Sequence, residues 1–229
     1  MLRSLPPQAG LIGFTNTPGS PLASRAEALL LTHAGSENMV SCKTYVAALV
    51  ALVVLEALLT GRDPLTNSPR WTEKPAWGGG RIPCRAAGYT GKHGAAAARR
   101  SVSGAGRAGE LSLAAAGTGG LIIKEAAHFP AEGMSCAAFR HGPLNMVSRQ
   151  NFLLVYAGLE PTRALNRNLV RDIQASGGNA ALVEIDPVRD AFHLPVVPVI
   201  SLGGLAILEI LPAQKLLAAL ARLHGHIPG

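Results

Sequence analysis

Two residues in the middle of the chain have side chains suited to moving protons. Glu125 follows a lysine in the stretch GLIIKEAAHF, and His141 stands 16 positions later in FRHGPL. A carboxylate and an imidazole are common general acids and bases in enzymes. On composition alone, a solvated helix residue is the simpler interpretation of Glu125, and a loop histidine that caps the next helix explains His141 equally well.

Four further residues stand where they could contact a ligand or assist these two. Ser41 and Lys43 open the apolar stretch CKTYVAALVALVVLEALLTG, and Ser112 opens LAAAGTGG. Each serine can also be a plain helix N-cap, and the lysine a solvated side chain. His128 lies three residues after Glu125 and so on the same face of a helix, where it can orient the carboxylate or form a metal pair with it.

The elements that must position these residues alternate between strands and helices. Short apolar runs predict strands at 11–14, 152–156, 180–185 and 196–200. Capping residues and apolar stripes predict helices over 41–60, 112–129, 165–176 and 205–224, the last with a kink or restart at Pro212. Such alternation predicts the α/β class, as a three-layer αβα sandwich with a parallel sheet.

The helix after Ser41 is apolar nearly all round, which predicts a helix packed between layers. Its longest apolar run, Val46 to Leu55, is ten residues, and a bilayer needs ~20. The N-terminal MLRSLPPQAG has no apolar run of the kind found in signal peptides. The three cysteines are far apart, without paired spacing. We therefore expect reduced thiols, a cytoplasmic location and no membrane partner.

The net charge of +7 is concentrated in one segment. Residues 64–110 hold eight Lys or Arg and two acidic residues, together with nine glycines. Few large apolar side chains are available there, so a disordered linker is expected. A nucleic-acid surface needs its charges on an ordered face with stacking aromatics, and the segment has three aromatics: Trp71, Trp77 and Tyr89. No nucleic-acid partner is expected.

Two separated stretches resemble the SIS (sugar isomerase) family of phosphosugar-binding proteins. FTNTPGSPLASRAEALLLTHAGSENMVSCKTY is similar to the family's strand, acidic turn and Ser/Thr-Lys-Thr helix start. GLIIKEAAHFPAEGMSCAAFRHGPLNMV is similar to its Lys-Glu helix and His-Gly-Pro loop. The KE, AEGM and RHGP elements together are far more specific than any one of them. The family includes the isomerase half of glutamine–fructose-6-phosphate aminotransferase (isomerizing).

The resemblance implies a role for each candidate. Glu125 would be the base that moves a proton between C1 and C2 of an open-chain hexose or hexosamine 6-phosphate, and His141 would open the sugar ring. Ser41 and Lys43 would contact the sugar, and Ser112 would belong to the second repeat's anion loop. The family uses no metal or other cofactor in this reaction, which leaves His128 structural. It also implies a homodimer in which the histidine comes from the partner subunit.

The resemblance further predicts the domain organisation and three departures from the family. Residues 1–63 would be a partial first SIS repeat, 64–110 a linker, and 111–229 the second repeat. The Ser-rich loop that grips the phosphate is expected before Leu11, and a lysine-bearing tail after Gly229, and neither is seen. Ile122 stands where the aminotransferase has a second lysine, which favours an isomerase or deaminase relative. An inactive chain is expected; a non-catalytic regulatory module or an inactive fragment is the alternative.

Overall fold

The computed structural model describes residues 10–63, 101–106, 111–160, 162–184, 193–195 and 202–226. The chain divides into two compact units, Met1–Ser68 and Pro69–Gly229. Most of the segment predicted to be a disordered linker, residues 64–100 and 107–110, lies outside the described residues.

The first unit contains a two-stranded parallel sheet. Strand β1 (Ile12–Thr15) pairs with β2 (Ala28–Leu31), and the five-residue helix α1 (Pro21–Arg25) connects them. Helix α1 begins at Ser20, whose hydroxyl accepts a hydrogen bond from the Ala23 amide at 3.2 Å, and proline occupies its first turn.

Helix α2 (Cys42–Leu59) completes this unit. It ends before Gly61, which adopts the left-handed backbone (φ 67°) that favours glycine at a helix C-terminus. The prediction that α2 packs between layers is wrong, because only Ala51 and Ala57 among its 18 residues are buried. The uniform apolar composition that suggested burial on all sides therefore leaves large side chains at least partly exposed, Leu52 and Leu59 among them.

Two helical segments among the described residues are long and apolar enough to cross a membrane by length and composition. They are α2, with a mean hydropathy of 2.0 and 11% of its residues buried, and residues 204–223, with a mean hydropathy of 1.5 and 67% buried. The second is interrupted at Ile210 and is mostly packed inside the second unit, as the core helix of a globular domain is. Length and hydropathy alone do not distinguish such helices from membrane spans.

The second unit is built on five parallel strands in the order β4–β3–β5–β6–β7. Their bounds are Ser101–Gly106 for β3, Ala131–Ser135 for β4, Asn151–Tyr156 for β5, Asn179–Glu184 for β6 and His193–Pro195 for β7. The chain moves outward from β3 to β4, then returns past β3 to β5. In sheets of this kind the crevice beside the carboxyl ends of the strands at such a reversal is the usual ligand position.

Helices cover both faces of this sheet. Their bounds are Leu111–Ala127 for α3, Cys136–Arg140 for α4, Arg163–Ala175 for α5, Leu202–Glu209 for α6 and Leu211–Leu223 for α7. On one face Leu153 and Val155 pack with α4 and α5 in a buried cluster. On the other face α3 packs on the sheet and on α7. The predicted three-layer αβα sandwich with a parallel sheet is confirmed.

The linker prediction is wrong at its C-terminal end. Residues 101–106 form β3, which pairs with both β4 and β5 in the interior of the sheet. Its sequence, SVSGAG, has one large aliphatic residue, so composition alone resembles a loop. A central strand is stabilised by backbone hydrogen bonds on both edges, and small residues allow close approach of neighbouring backbone. The motif element AEGM, for which no strand is predicted above, likewise lies in strand β4.

The remaining predicted elements have mixed outcomes. The last helix restarts as predicted, with Pro212 in the first turn of α7 after a break at Ile210. The strand predicted at 196–200 lies outside the described residues, and the last described strand is β7 at His193–Pro195. The predicted helix at 165–176 corresponds to α5.

Candidate functional site

Glu125 lies on the last turn and a half of α3, as predicted, and its side chain is exposed. The neighbouring Lys124 donates a hydrogen bond from Nζ to Oε1 of Glu132 at 3.2 Å. Glu132 is the second residue of β4, so this end of α3 lies beside the amino end of that strand.

Two close approaches of backbone hold α3 against β4. A Cβ atom added to Gly133 would lie 2.2 Å from the carbonyl oxygen of Ala116, and one added to Gly120 would lie 2.8 Å from the Gly133 amide nitrogen. No side chain larger than hydrogen fits either position without a shift of the helix or the strand. The helix that carries Glu125 is therefore positioned by backbone packing as well as by its buried side chains.

His141 lies at the C-terminal end of α4, on the segment after Pro130 where the sequence placed it. Its amide donates hydrogen bonds to the carbonyl oxygens of Ala137 and Ala138 at 3.2 and 3.1 Å, and its side chain is exposed. The preceding Arg140 donates to Oδ2 of Asp172 at 2.6 Å and to the Leu165 carbonyl at 3.2 Å. These contacts with α5 hold the end of α4 in place.

The two candidate residues belong to opposite ends of β4. Glu125 precedes the strand beside its amino end, whereas His141 follows the carboxyl end by way of α4. A strand of five residues spans about 13 to 17 Å at ~3.3 Å per residue. The contribution of the histidine by a partner subunit, which the resemblance implies, stays a prediction.

Ser41 and Lys43 stand at the start of α2, but the N-terminus of that helix is capped by another residue. Ser41 occupies the N-cap position and makes no side-chain capping hydrogen bond. Instead the Glu37 carboxylate accepts hydrogen bonds from the Lys43 amide at 2.5 Å and the Thr44 amide at 3.2 Å. The Lys43 ammonium donates to the Ser36 carbonyl. Lys43, one of the two residues predicted to contact the sugar, is thus bound to the Glu37 carboxylate and to the preceding turn.

Glu37 is charged in this position. Burial alone would raise the pKa of its carboxyl, but hydrogen bonds from Thr44 and Lys43, together with the charge of Lys43, outweigh burial and lower the pKa below its ordinary value. Burial, and then the charge of Glu37, raise the pKa of the Cys42 thiol, which is the opposite of what a cysteine nucleophile needs.

Ser112 is not at the helix N-cap, because α3 already begins at Leu111. Its hydroxyl donates to Oε1 of Glu209 at 2.9 Å, and both residues are buried, at 2% exposure each. The bond joins the first turn of α3 to the end of α6. The Ser112 hydroxyl therefore already has a partner inside the protein. The assignment of Ser112 to the anion loop of the second repeat stays a prediction.

A buried ion-pair cluster at the carboxyl edge of the sheet was missed in the sequence. Glu184, the last residue of β6, has a side chain 2% exposed, and it accepts hydrogen bonds at 2.8 and 2.5 Å from Nε and Nη2 of Arg167. Arg163 lies 3.5 Å from the same carboxylate. Arg163, Glu184 and Glu209 line a small cavity next to the loop after β5. Arginines spaced four apart on a helix otherwise predict a solvated face.

No family model matches the chain. Sequence comparison gives an alignment 216 residues long, which covers 92% of this chain, with glutamine–fructose-6-phosphate aminotransferase (isomerizing) of Bacillus subtilis at 25% identity. Among solved structures, the C-terminal domain of glucosamine–fructose-6-phosphate aminotransferase from Francisella tularensis superimposes with a TM-score of 0.73 at 19% identity. That superposition covers 96% of this chain and 64% of the other.

The sequence similarity and the fold together support a SIS-family chain that corresponds to part of the aminotransferase. Glucosamine-6-phosphate deaminase from Thermotoga maritima has the same fold, with a TM-score of 0.64 at 17% identity over 95% of this chain and 63% of that one. The SIS chain spans 36% of the length of the Bacillus subtilis aminotransferase. It is therefore related to one part of that enzyme.

Ile122 gives the SIS chain a feature of its own near the candidate base. It lies one turn before Glu125 on α3 and is 1% exposed, among the most deeply buried large side chains. By the resemblance of this helix, the aminotransferase carries a lysine at this position. Here the position is part of the hydrophobic core.

Proposed function

We propose that this SIS domain binds a hexose or hexosamine 6-phosphate and takes part in aldose–ketose isomerisation. Glu125 is the base that transfers a proton between C1 and C2, and His141 is the acid or base that opens the sugar ring. The observation that carries the proposal is the exposed carboxylate at the end of α3 followed, across β4, by the exposed imidazole at the end of α4. Both side chains are exposed to a ligand, and carboxylates and imidazoles are common general acids and bases in enzymes.

The isoleucine at position 122 bears on which reaction of the family this chain could catalyse. By the resemblance, the aminotransferase has a second lysine in this helix, whereas isomerisation needs the carboxylate and the ring-opening group. A buried isoleucine at this position offers no amine to the substrate. We therefore favour an isomerase or deaminase reaction over the full synthase reaction, with no metal or other cofactor in the chemistry.

Substrate binding is tested by thermal unfolding in the presence of sugar phosphates. We expect fructose 6-phosphate and glucosamine 6-phosphate to raise the melting temperature, because a ligand that binds the folded state stabilises it by mass action. Fructose without the phosphate, and inorganic phosphate without the sugar, are the matched controls. A melting temperature that none of the sugar phosphates changes would exclude the proposed ligand class.

The proposed assembly is a homodimer in which each site combines Glu125 of one subunit with His141 of the other. The order of α3, β4 and α4 along the chain supports this arrangement, because the strand separates the two residues in sequence. In a two-fold symmetric dimer both composite sites are equivalent.

Subunit complementation tests this arrangement. Glu125→Gln and His141→Asn chains are expected to be inactive alone, yet mixed dimers contain one site with both native residues. After co-refolding in equal amounts, activity should return to about one quarter of wild type, since half the dimers are mixed and each has one intact site. No recovery, with mixed dimers verified by a tag, would show that the two residues do not share a site across subunits.

A non-catalytic phosphosugar-binding module is the second candidate. Glu37 already binds the amides of Lys43 and Thr44, so the start of α2 does not offer these two donors to hold a sugar in position for catalysis. In that case sugar phosphates raise the melting temperature but no proton transfer is detected. In either case we propose a cytoplasmic protein without a nucleic-acid or membrane partner.

A further inference from the structure

The C-terminal ends of two helices of the second unit come together around a group of histidines. Helix α3 ends at Ala127 and is followed by His128, and α7 ends at Leu223 and is followed by His224 and His226. The ring centroids of His128 and His226 are 4.4 Å apart, with 49° between the ring planes.

The backbone holds both rings in position. His128 adopts a left-handed conformation (φ 49°), which non-glycine residues rarely adopt and which is found preferentially at functional or tightly constrained sites. The His226 amide donates to the Ala221 carbonyl at 2.7 Å, and Gly225 (φ 73°) provides the turn that makes this bond possible.

A neighbouring contact fixes the two helix ends relative to each other. The ring of Phe129, 6% exposed, lies 5.4 Å from the ring of His224. The buried phenylalanine anchors the segment after α3, and His224 the segment after α7. His128 is exposed and His226 is partly exposed, so a small ion can reach the pair from solvent.

We propose that His128 and His226 bind a late first-row divalent transition-metal ion, such as Ni²⁺ or Zn²⁺, where the ends of α3 and α7 meet. Imidazole nitrogen is a preferred ligand of these ions, with metal–nitrogen bonds of about 2.0 to 2.1 Å. Two rings 4.4 Å apart can place one nitrogen each on a shared ion after small side-chain rotations. The partial negative charges at the two helix C-termini also favour a cation.

The site is open and is separate from the proposed reaction. No three His, Cys, Asp or Glu residues within the described ranges are grouped to hold a metal ion, so water completes the coordination. Affinity is accordingly lower than at a closed four-ligand site. The ion would tie the end of α3, one turn beyond Glu125, to the end of α7.

Isothermal titration of the full chain with NiCl₂ tests this site. We expect saturable binding of one ion at the pair, and at least a roughly tenfold loss of affinity in His128→Asn and in His226→Asn, since each removes one of two ligands. Asparagine tolerates the left-handed backbone, so His128→Asn should keep the fold. MgCl₂, an oxygen-seeking ion, should give no binding at this site.

His33→Asn is the matched control, because His33 is the other described non-glycine residue with a left-handed backbone (φ 47°). Its Ni²⁺ affinity should equal that of the wild type. Circular dichroism of each variant verifies the fold. Unchanged Ni²⁺ affinity in both His128→Asn and His226→Asn, or equal loss in His33→Asn, would overturn the proposal. So would the lack of saturable binding to the wild-type chain.

Discussion

Replacing Glu125 with glutamine is expected to reduce proton transfer at C2 of the sugar phosphate by about 10²- to 10⁴-fold, the usual contribution of a general base. The amide has nearly the shape of the carboxylate but cannot accept the proton. Because Glu125 is exposed at the end of α3, the substitution should not disturb the core. Binding of the sugar phosphate, measured by thermal unfolding, should therefore remain.

Deuterium exchange gives the most sensitive measurement. An aldose form of the substrate, glucosamine 6-phosphate, is incubated with the protein in D₂O, and NMR follows the loss of its C2 proton signal. This loss reports each proton abstraction even when net turnover is too slow for a coupled assay. Exchange in the wild type that disappears in Glu125→Gln would support the proposed base.

Glu132→Gln is the control for this experiment. Glu132 is an exposed carboxylate near Glu125 along the chain, and its ion pair with Lys124 is solvent-accessible on both sides. Such surface pairs contribute about 0 to 1 kcal/mol, so exchange should stay close to wild type. If Glu125→Gln exchanges as fast as wild type, the base is another group. If the wild type binds sugar phosphate without exchange, the non-catalytic module is favoured.

Replacing Gly133 with alanine is expected to destabilise the second unit by about 3 kcal/mol, at the upper end of overpacking costs. The new methyl group would lie 2.2 Å from the Ala116 carbonyl oxygen and 2.5 Å from the Gly117 Cα. Both obstacles are backbone atoms of α3, so no side-chain rotation relieves the overlap. The helix must move away from β4, and Glu125 moves with it.

The matched control is Gly117→Ala, in the helix α3 that packs against Gly133. A Cβ atom at Gly117 meets nothing within 4 Å, and the residue is exposed within α3. Alanine in a helix interior is favoured over glycine by about 0.5 to 1 kcal/mol, so this variant should be slightly more stable than wild type.

Urea unfolding followed by far-UV circular dichroism compares the two variants. The expected order of midpoints is Gly117→Ala, wild type, then Gly133→Ala. Equal midpoints for Gly133→Ala and wild type would show that α3 does not approach β4 as closely as described. A loss of stability in Gly117→Ala would show that its surroundings are not open.

Much of the second unit was predictable because its elements carry periodic patterns. Strands β5 and β6 are runs of buried apolar residues, and α5 buries Leu169 and Ile173 on one stripe. Proline at position 212 marks a helix start because it lacks the amide that an interior position needs. Local patterns of this kind act within a few residues of the chain, so they are visible without the fold.

Strand β3 was not predictable for the opposite reason. Nothing in SVSGAG requires an extended conformation, and the strand is stabilised by its pairing with β4 and β5. These partners lie 29 to 50 residues further along the chain. The prediction that α2 is buried was wrong for a similar reason. An apolar composition indicates what a helix can pack against, but not whether a neighbouring element is present.

The sequence by itself determined the α/β class, the SIS resemblance, and the positions of Glu125 on a helix and His141 on the following segment. These depend on residue types at short spacing. Only the tertiary structure decided that the two residues lie at opposite ends of β4, that Glu37 rather than Ser41 caps α2, and that Ser112 bonds to Glu209 across 97 positions. Partners brought together by folding are set by the packing of whole elements, which no local pattern in the chain records.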